Sequence, residues 1–475
     1  MELSNMPIHH RLQLLIFSLL SSAVLLHATH PIAAAILRFL TTNLLLNAII
    51  SLLTTILIFL HFRLRSHPVF LLNYSCFQPP NHRKCTYQLA NDFVLHGGRF
   101  TTPEPVKFMR NIYLKSGLGN DTYAPPFMFE KDQTPTMKNA VQEAEEGIFS
   151  SVDSVLAKTL ILPEEIDVVI VTGGSFSPSP SLASLIVNRY NLRPDVKTYN
   201  LSGMGCSSGV ISIDLAYRIL RGGGRKIKNV LVVVTESITL NWYDGEERSM
   251  LVTNCIFRVG CAAAIITNDP SRRSTAKMEL QHCLRTHHGA DDSAYHAAFQ
   301  EEDGKGITGV SLTKDLIRVA GLNLRQHIKI LAPRVLSLNQ LVGYVCSVVS
   351  SVMSGGQMKP VVPDFTMAFE HICVHTGGKA VIEQVARVLK FNDSVTEPAR
   401  MCLNRFGNTS SSLVFYELAY FEAKNRVKKG DKMWMLAFGT GFKVGSLVWK
   451  WVNDPETELD NPWNDSIGQY PLKIW

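Results

Sequence analysis

Three short segments hold residues suited to acyl-group chemistry. The first runs Tyr199-Asn-Leu-Ser-Gly-Met-Gly-Cys206-Ser-Ser-Gly-Val, after which Val210, Ile211, Leu215 and Ile219 recur at helical spacing. Cys206 therefore stands at or just before a helix start. Backbone N–H groups at such a start stabilise a thiolate, lower the thiol pKa and can hold the oxyanion of an acyl-transfer intermediate. Gly203, Gly205 and Gly209 take bulk away from the sulfur. The second segment, Phe369-Glu370-His371-Ile-Cys-Val-His375, sets His375 just ahead of the pair Gly377-Gly378, with a helix to follow. If this stretch is extended, His371 and His375 face the same side. The third, Asn404-Arg-Phe-Gly-Asn408-Thr-Ser-Ser-Ser412, puts Asn408 in a loop ahead of an amphipathic helix, Leu413 to Ala423.

Taken singly, each residue has a plainer reading: one structural thiol among nine cysteines, a core histidine, a helix-capping asparagine. Joined, they describe one chemistry. A thiolate accepts an acyl group as a thioester, while a neutral imidazole and an amide donate two hydrogen bonds to one carbonyl oxygen. Two neutral donors suit a decarboxylation that creates an enolate. A thiol protease would use the same residue types, with the histidine as base and the asparagine orienting it. Spacing alone leaves both readings open.

The elements that must position these groups alternate between strand and helix. A helical stretch from Met137 to about Leu160 leads into the apolar strand Ile166 to Thr172, ended by Gly173-Gly174. Further short apolar strands are expected at Val230 to Thr235, Ala262 to Thr267, Met433 to Phe438 and Val444 to Val452. Such alternation predicts an α/β fold with a covered sheet. The stretch from Arg63 to about Asp132, rich in Pro, Asn and aromatic residues, reads as an irregular connector. No short repeat or low-complexity linker divides the body.

The 47 Lys and Arg residues against 40 Asp and Glu give a net charge of +7, with no run of five like charges, which argues against a nucleic-acid partner. The first sixty residues hold only Glu2, Arg11 and Arg38 as charges. Leu12 to Leu37 and Phe39 to Leu60 read as two membrane-crossing helices joined by a short turn, making residues 1–66 an anchor. Arg11, Arg63 and Arg65 then place both ends on the cytosolic side. The nine cysteines show no Cys-x-x-Cys pair and no zinc spacing, as expected of free thiols and no metal.

From about His67 to Trp451 these motifs resemble the plant 3-ketoacyl-CoA synthases, the condensing enzymes of fatty-acid elongation within the thiolase-like superfamily. The likeness rests on Asn200-Leu-Ser-Gly-Met-Gly-Cys206-Ser, Asn241-Trp-Tyr-Asp-Gly245, Asn254-Cys-Ile-Phe-Arg258, Arg285-Thr-His287, the His371 and His375 segment, Arg405-Phe-Gly-Asn408-Thr-Ser-Ser and Phe438-Gly-Thr-Gly-Phe-Lys443. The resemblance implies a thiolase-like fold of two similar α/β halves in α-β-α-β-α layers, with boundaries at 67–355 and 356–475 behind the anchor. It makes Cys206 the acylated nucleophile, gives His375 and Asn408 the malonyl group to activate, and adds His287 and His371 as further site histidines. Gly439, Thr440 and Gly441 match the family's glycine loop beside the cysteine. The implied substrates are a long-chain or very-long-chain acyl-CoA and malonyl-CoA, with no cofactor. The implied setting is the endoplasmic reticulum membrane with the body facing the cytosol. The implied partners are a second copy of the chain and the elongation complex's ketoacyl-CoA reductase, hydroxyacyl-CoA dehydratase and enoyl-CoA reductase.

The sequence departs from the family pattern at Thr172-Gly-Gly-Ser-Phe176, where Asn-Cys-Ser-Leu-Phe is usual, at Cys261, usually Gly, and at Asn404, usually His. These departures admit a weakly active scaffold of the elongation complex as one alternative. A chalcone-synthase-like type III polyketide synthase is the other, and the expected anchor speaks against it.

Overall fold

The structure, a computed structural model, describes residue 38 and residues 44–64, 68–96, 100–222, 227–354, 363–375, 377–456 and 458–473. The chain divides into two compact units, Met1–His67 and Pro68–Trp475. In the first, a helix spans Leu44–Leu64, within and just beyond the second expected span. Its side chains are described from Asn47 to Ile58, where Ile49, Leu53 and Leu57 stand exposed. Among the described residues no helix is long and apolar enough to cross a membrane. The first expected span, Leu12 to Leu37, lies outside the described residues.

Among its described residues the second unit contains eleven strands: β1 (Phe70–Cys76), β2 (Val168–Gly174), β3 (Lys197–Ser202), β4 (Asn229–Thr235), β5 (Cys261–Thr267), β6 (Met278–His287), β7 (Ala298–Glu302), β8 (Thr308–Leu312), β9 (His371–Val374), β10 (Lys432–Gly439) and β11 (Lys443–Trp451). Nine of them form one mixed sheet in the order β3-β2-β4-β5-β1-β6-β11-β10-β9, and β7 with β8 makes a separate hairpin. The two flanks of the large sheet repeat one pattern. β1 pairs antiparallel with β5, β5 antiparallel with β4 and β4 parallel with β2; likewise β6 pairs antiparallel with β11, β11 antiparallel with β10 and β10 parallel with β9. The flanks join over two residue pairs only, Phe70 with Glu279 and Leu71 with Met278. β3 extends one flank and leaves its side chains Lys197 to Asn200 exposed.

Alternation along the strands builds the layers, because successive side chains point to opposite faces. Val168, Ile170, Val230 and Val232 from one flank, with Met433, Met435 and Leu447 from the other, pack around the helices Ser208–Gly222 and Leu413–Ala423. Val169, Val171, Leu231 and Val233 point the other way, toward the helix Met137–Thr159. Trp434, Leu436 and Phe438 do the same toward the helices Leu316–Val335 and Lys379–Leu389. The two central helices are thus enclosed on both sides. Leu413–Ala423, expected to be amphipathic, is buried at every position from Leu413 to Glu422, since sheet covers both of its faces.

The expected irregular connector contains β1 and the helices Tyr87–His96 and Pro103–Lys115. Pro103 suits a helix start, where its missing N–H costs nothing, and Pro105, Met109 and Tyr113 then bury one face. That face packs beside Met250, Leu251 and Cys255 of the helix Arg248–Ile256.

Candidate active site

The two central helices start at one place. A tight turn, Gly205–Ser207, carries Cys206 into Ser208–Gly222, and a matching turn, Ser410–Ser412, leads into Leu413–Ala423. Gly209 permits the approach: a Cβ there would run into the carbonyl oxygen of Ser411. Ser410 Oγ consequently lies 3.5 Å from Cys206 Sγ. The Asn408 side chain accepts the Ser410 N–H at 2.9 Å and donates to the Gly377 carbonyl at 3.4 Å. Gly377 in turn lies against His375, whose Nε2 would be 3.6 Å from a Cβ on that glycine. Contacts therefore link Cys206, Asn408 and His375 although they are far apart in sequence.

Two of the motifs singled out in the sequence hold this loop. The Asn408 N–H donates to Ile256 O at 3.1 Å, and the Arg258 N–H donates to Asn408 O at 2.9 Å. Arg258 is itself buried, with Nη1 on Phe257 O at 2.7 Å and Nε on Thr122 at 3.0 Å. Gly407 has φ +72°, and a side chain there would clash with Arg258. Just before it, fully buried Arg405 donates to Asp121 O at 2.7 Å, to the Tyr123 hydroxyl at 3.0 Å and to Asp465 at 3.0 Å. The guanidinium's spread of fixed donors fits it for joining three segments at once.

Burial sets the electrostatics. His375 is 2 % exposed, and its pKa is lowered to about 4, so the imidazole is neutral near pH 7. Its Nδ1 has no hydrogen-bond partner among the described residues. Cys206 goes the opposite way from the expected lowering. Burial, reinforced by Glu236, pushes its thiol up to about 12, against a smaller favourable contribution from the Ser410 hydroxyl. Glu236, just past β4, is pushed up to about 8, first by burial.

The glycine loop closes the other side of the cysteine turn. Gly205, at φ +58°, leaves room for Thr440, whose N would lie 2.6 Å from a Cβ at that position, and Gly439 abuts Ser207. His287, at the end of β6, is exposed and sits beside Gly441, with Nδ1 accepting the Gly289 N–H at 3.1 Å. His371 is not brought to the site. It begins β9, four residues or about 13 Å of strand before His375, and its Nε2 is held 2.9 Å from Asp431. Sequence reasoning passed over Glu236 and did not single out Ser410. The signal available for Ser410 was its place two residues after Asn408. Of the unusual residues, Asn404 ties Gly117 O and the Tyr470 hydroxyl at 3.2 and 3.0 Å, and Cys261 is core.

A mostly apolar pocket lies under the Tyr87–His96 and Pro103–Lys115 helices. Its wall includes Phe93, Met109, Met128, Ile238, Trp242 and Phe257. Ile238 follows Glu236 by two residues, and the Phe257 backbone forms a bridge with Asn408, so two wall residues are backbone neighbours of site residues.

Residues 61–353 match the family model of FAE1/type III polyketide synthase-like proteins, and residues 367–451 match that of the 3-oxoacyl-[acyl-carrier-protein] synthase III C terminal. 3-Ketoacyl-CoA synthase 11 of Arabidopsis thaliana is 44% identical over 436 residues, covering 91% of this chain and 84% of that protein. The chain belongs to the 3-ketoacyl-CoA synthase family. 3-Ketoacyl-CoA synthase 2 of the same plant is also 44% identical, over 90% of this chain and 82% of that protein. Membership makes the chain an enzyme, a condensing acyltransferase. Two solved structures, a fungal type III polyketide synthase and PKS-I from the brown alga Ectocarpus siliculosus, share the fold. Each has a TM-score of 0.63 over 81% of this chain, with 17% and 16% identity, and 99% and 98% of their own chains are covered. The thiolase-like α/β architecture of this family member follows from both comparisons.

Proposed function

We propose that this 3-ketoacyl-CoA synthase condenses a long-chain or very-long-chain acyl-CoA with malonyl-CoA in fatty-acid elongation. CoA and carbon dioxide leave, and the product is a 3-ketoacyl-CoA two carbons longer. The observation that carries the reading is the meeting of the two central helix starts, with Cys206 3.5 Å from Ser410 and Asn408 tied to the same turn.

In the first half-reaction Cys206 attacks the acyl thioester carbon and CoA departs as thiolate. The acyl chain takes the apolar cavity beside Ile238 and Phe257. The backbone N–H groups of the Cys206 turn and the Gly439–Gly441 loop serve the oxyanion. In the second, malonyl-CoA loses carbon dioxide, and neutral His375 with the Asn408 amide holds the enolate oxygen until the enolate carbon attacks the Cys206 thioester; the new C–C bond forms as the C–S bond to Cys206 breaks, and Cys206 leaves as the thiolate and is reprotonated. A neutral imidazole can donate without first surrendering charge, which the lowered His375 pKa supports. His287, beside Gly441, is assigned to the rim of the CoA entrance.

The N-terminal segment is proposed as an anchor in the endoplasmic reticulum membrane with the body in the cytosol. Its support is the charge-free run Phe39 to Leu60 and the exposed apolar side chains of Leu44–Leu64. Exposed β3, which ends four residues before Cys206, is the proposed contact for a second copy. The product's ketone calls for a reductase, a dehydratase and an enoyl reductase as successive partners. Expression in a host lacking very-long-chain products, with Cys206→Ala alongside, tests the proposal. Longer acyl chains appear with the intact protein alone; identical profiles from both would refute it.

A further inference from the structure

The two half-reactions leave one buried acid at the site without a role. Glu236 Oε1 accepts the Ser175 N–H at 3.1 Å and the Asn241 amide at 3.2 Å, and Oε2 faces Ser410 Oγ at 3.4 Å. The same Ser410 Oγ is 3.5 Å from Cys206 Sγ. Two backbone features make this line possible. Gly174 has φ +49°, and a Cβ there would overlap the Glu236 carboxylate. Ser410 has φ +57°, a left-handed conformation that serine adopts only when its surroundings impose it.

We infer that Glu236 receives the Cys206 thiol proton through the Ser410 hydroxyl while the acyl thioester is being attacked; this rests on the condensing role given to Cys206. A hydroxyl carries one proton and two lone pairs, so Ser410 can accept from S–H and donate to Oε2 together. The S–H proton passes to Ser410 as the Ser410 proton passes to Oε2. The sulfur pair then forms the new C–S bond, the bond to CoA breaks, and the CoA thiolate takes the proton back from Glu236. No other reactant is required.

Acidity agrees with this direction. The Cys206 thiol, pushed up to about 12, stays protonated near pH 7 and needs a base, and His375, at about 4, is a weak one. Glu236, raised to about 8, is the better acceptor whenever it is ionised. The titratable groups facing it are Cys206 and Glu143, the latter from the helix Met137–Thr159 and held by the Ile238 and Thr239 N–H groups at 2.8 and 3.0 Å. The loop at Ser175 and the turn at Ser410 present an amide and a hydroxyl. As Glu236 ionises with rising pH, acylation accelerates through about pH 8.

The test uses full-length protein in detergent and two probes of Cys206: single-turnover labelling by a long-chain acyl-CoA and alkylation by iodoacetamide, each followed across pH. The wild-type rate rises through about pH 8 with both probes. Glu236→Gln and Ser410→Ala each abolish that step and slow acylation by about 10²–10⁴-fold above it, the usual size of general-base assistance. Either variant, folded by circular dichroism and retaining the wild-type profile, overturns the inference. Because iodoacetamide needs no acyl-CoA, a surviving alkylation step with failed acyl labelling refutes the substrate reading and leaves the proton path standing.

Discussion

Replacing Asn408 with Asp separates the two half-reactions. The side chain's Oδ1 accepts the Ser410 N–H at 2.9 Å, a bond that a carboxylate of the same shape preserves, so the turn beside Cys206 keeps its geometry. The Nδ2 donor is lost, and a second oxygen is set toward the Gly377 carbonyl, 3.4 Å from the amide nitrogen it replaces. Removing one such donor from a preorganised oxyanion site costs about 2.7–4 kcal/mol, or about 10²–10³ in rate. Asn408 is 1 % exposed, so burial also raises the new carboxyl's pKa, and its protonated form can still donate. The defect in Asn408→Asp therefore deepens as pH rises. Intact-protein mass spectrometry follows acylation of Cys206, and labelled malonyl-CoA follows condensation. Acylation close to wild type with condensation reduced about 10²–10³-fold is the expected pair. Loss of both steps in a folded variant, or wild-type condensation at high pH, would refute the role given to the amide.

Three further outcomes are expected. Lys277, buried, lies 2.6 Å from both Glu422 and Glu458, and Lys277→Met leaves buried Glu422 without its cation while Glu458 keeps Lys158; denaturant titration should show a loss of about 3–5 kcal/mol. His375 and His327 have pKa values lowered by burial to about 4 and about 3. Their stabilising contribution is complete above the unfolded value of about 6.5 and is lost as pH falls toward the folded values, so thermal midpoints should drop on acidification from about pH 6.5. A flat midpoint across that window would contradict the burial of both imidazoles. Met109 lines the cavity and is 5 % exposed, so Met109→Trp narrows it and should shift products toward shorter chains in fatty-acid profiles, whereas an unchanged profile places the acyl chain elsewhere.

The placement of Cys206 and Asn408 ahead of two helix starts was legible because local sequence flags both: a glycine-rich approach in one case, a Gly-Asn-Thr-Ser run in the other. The same logic brought out β2, β4, β5, β10 and β11, whose apolar runs are continuous because both faces are covered. β6 was not legible: it exposes Gln281 and His282 and so lacks the continuous apolar signal. Nor could sequence show that β1 lies between β5 and β6, a pairing between distant segments. His371 illustrates a limit of periodicity. Spacing suggested that it shares a face with His375, and distance along the strand then separates the two. The thiol acidity was misjudged because helix-start stabilisation was weighed without the burial that opposes it. Glu236 stayed hidden since its place at the site depends on space left by Gly174, some sixty residues earlier in the chain.

The account stands most directly on the covalent state of Cys206. Incubating the full-length protein with a long-chain acyl-CoA, digesting it and locating the added mass tests this in one experiment, with a malonyl-CoA chase before digestion as the second arm. The acyl mass is expected on the peptide containing Cys206 and should disappear in the chase as 3-ketoacyl-CoA forms. Product formation with no acyl mass on Cys206, or an acyl mass there that malonyl-CoA leaves in place, would contradict it.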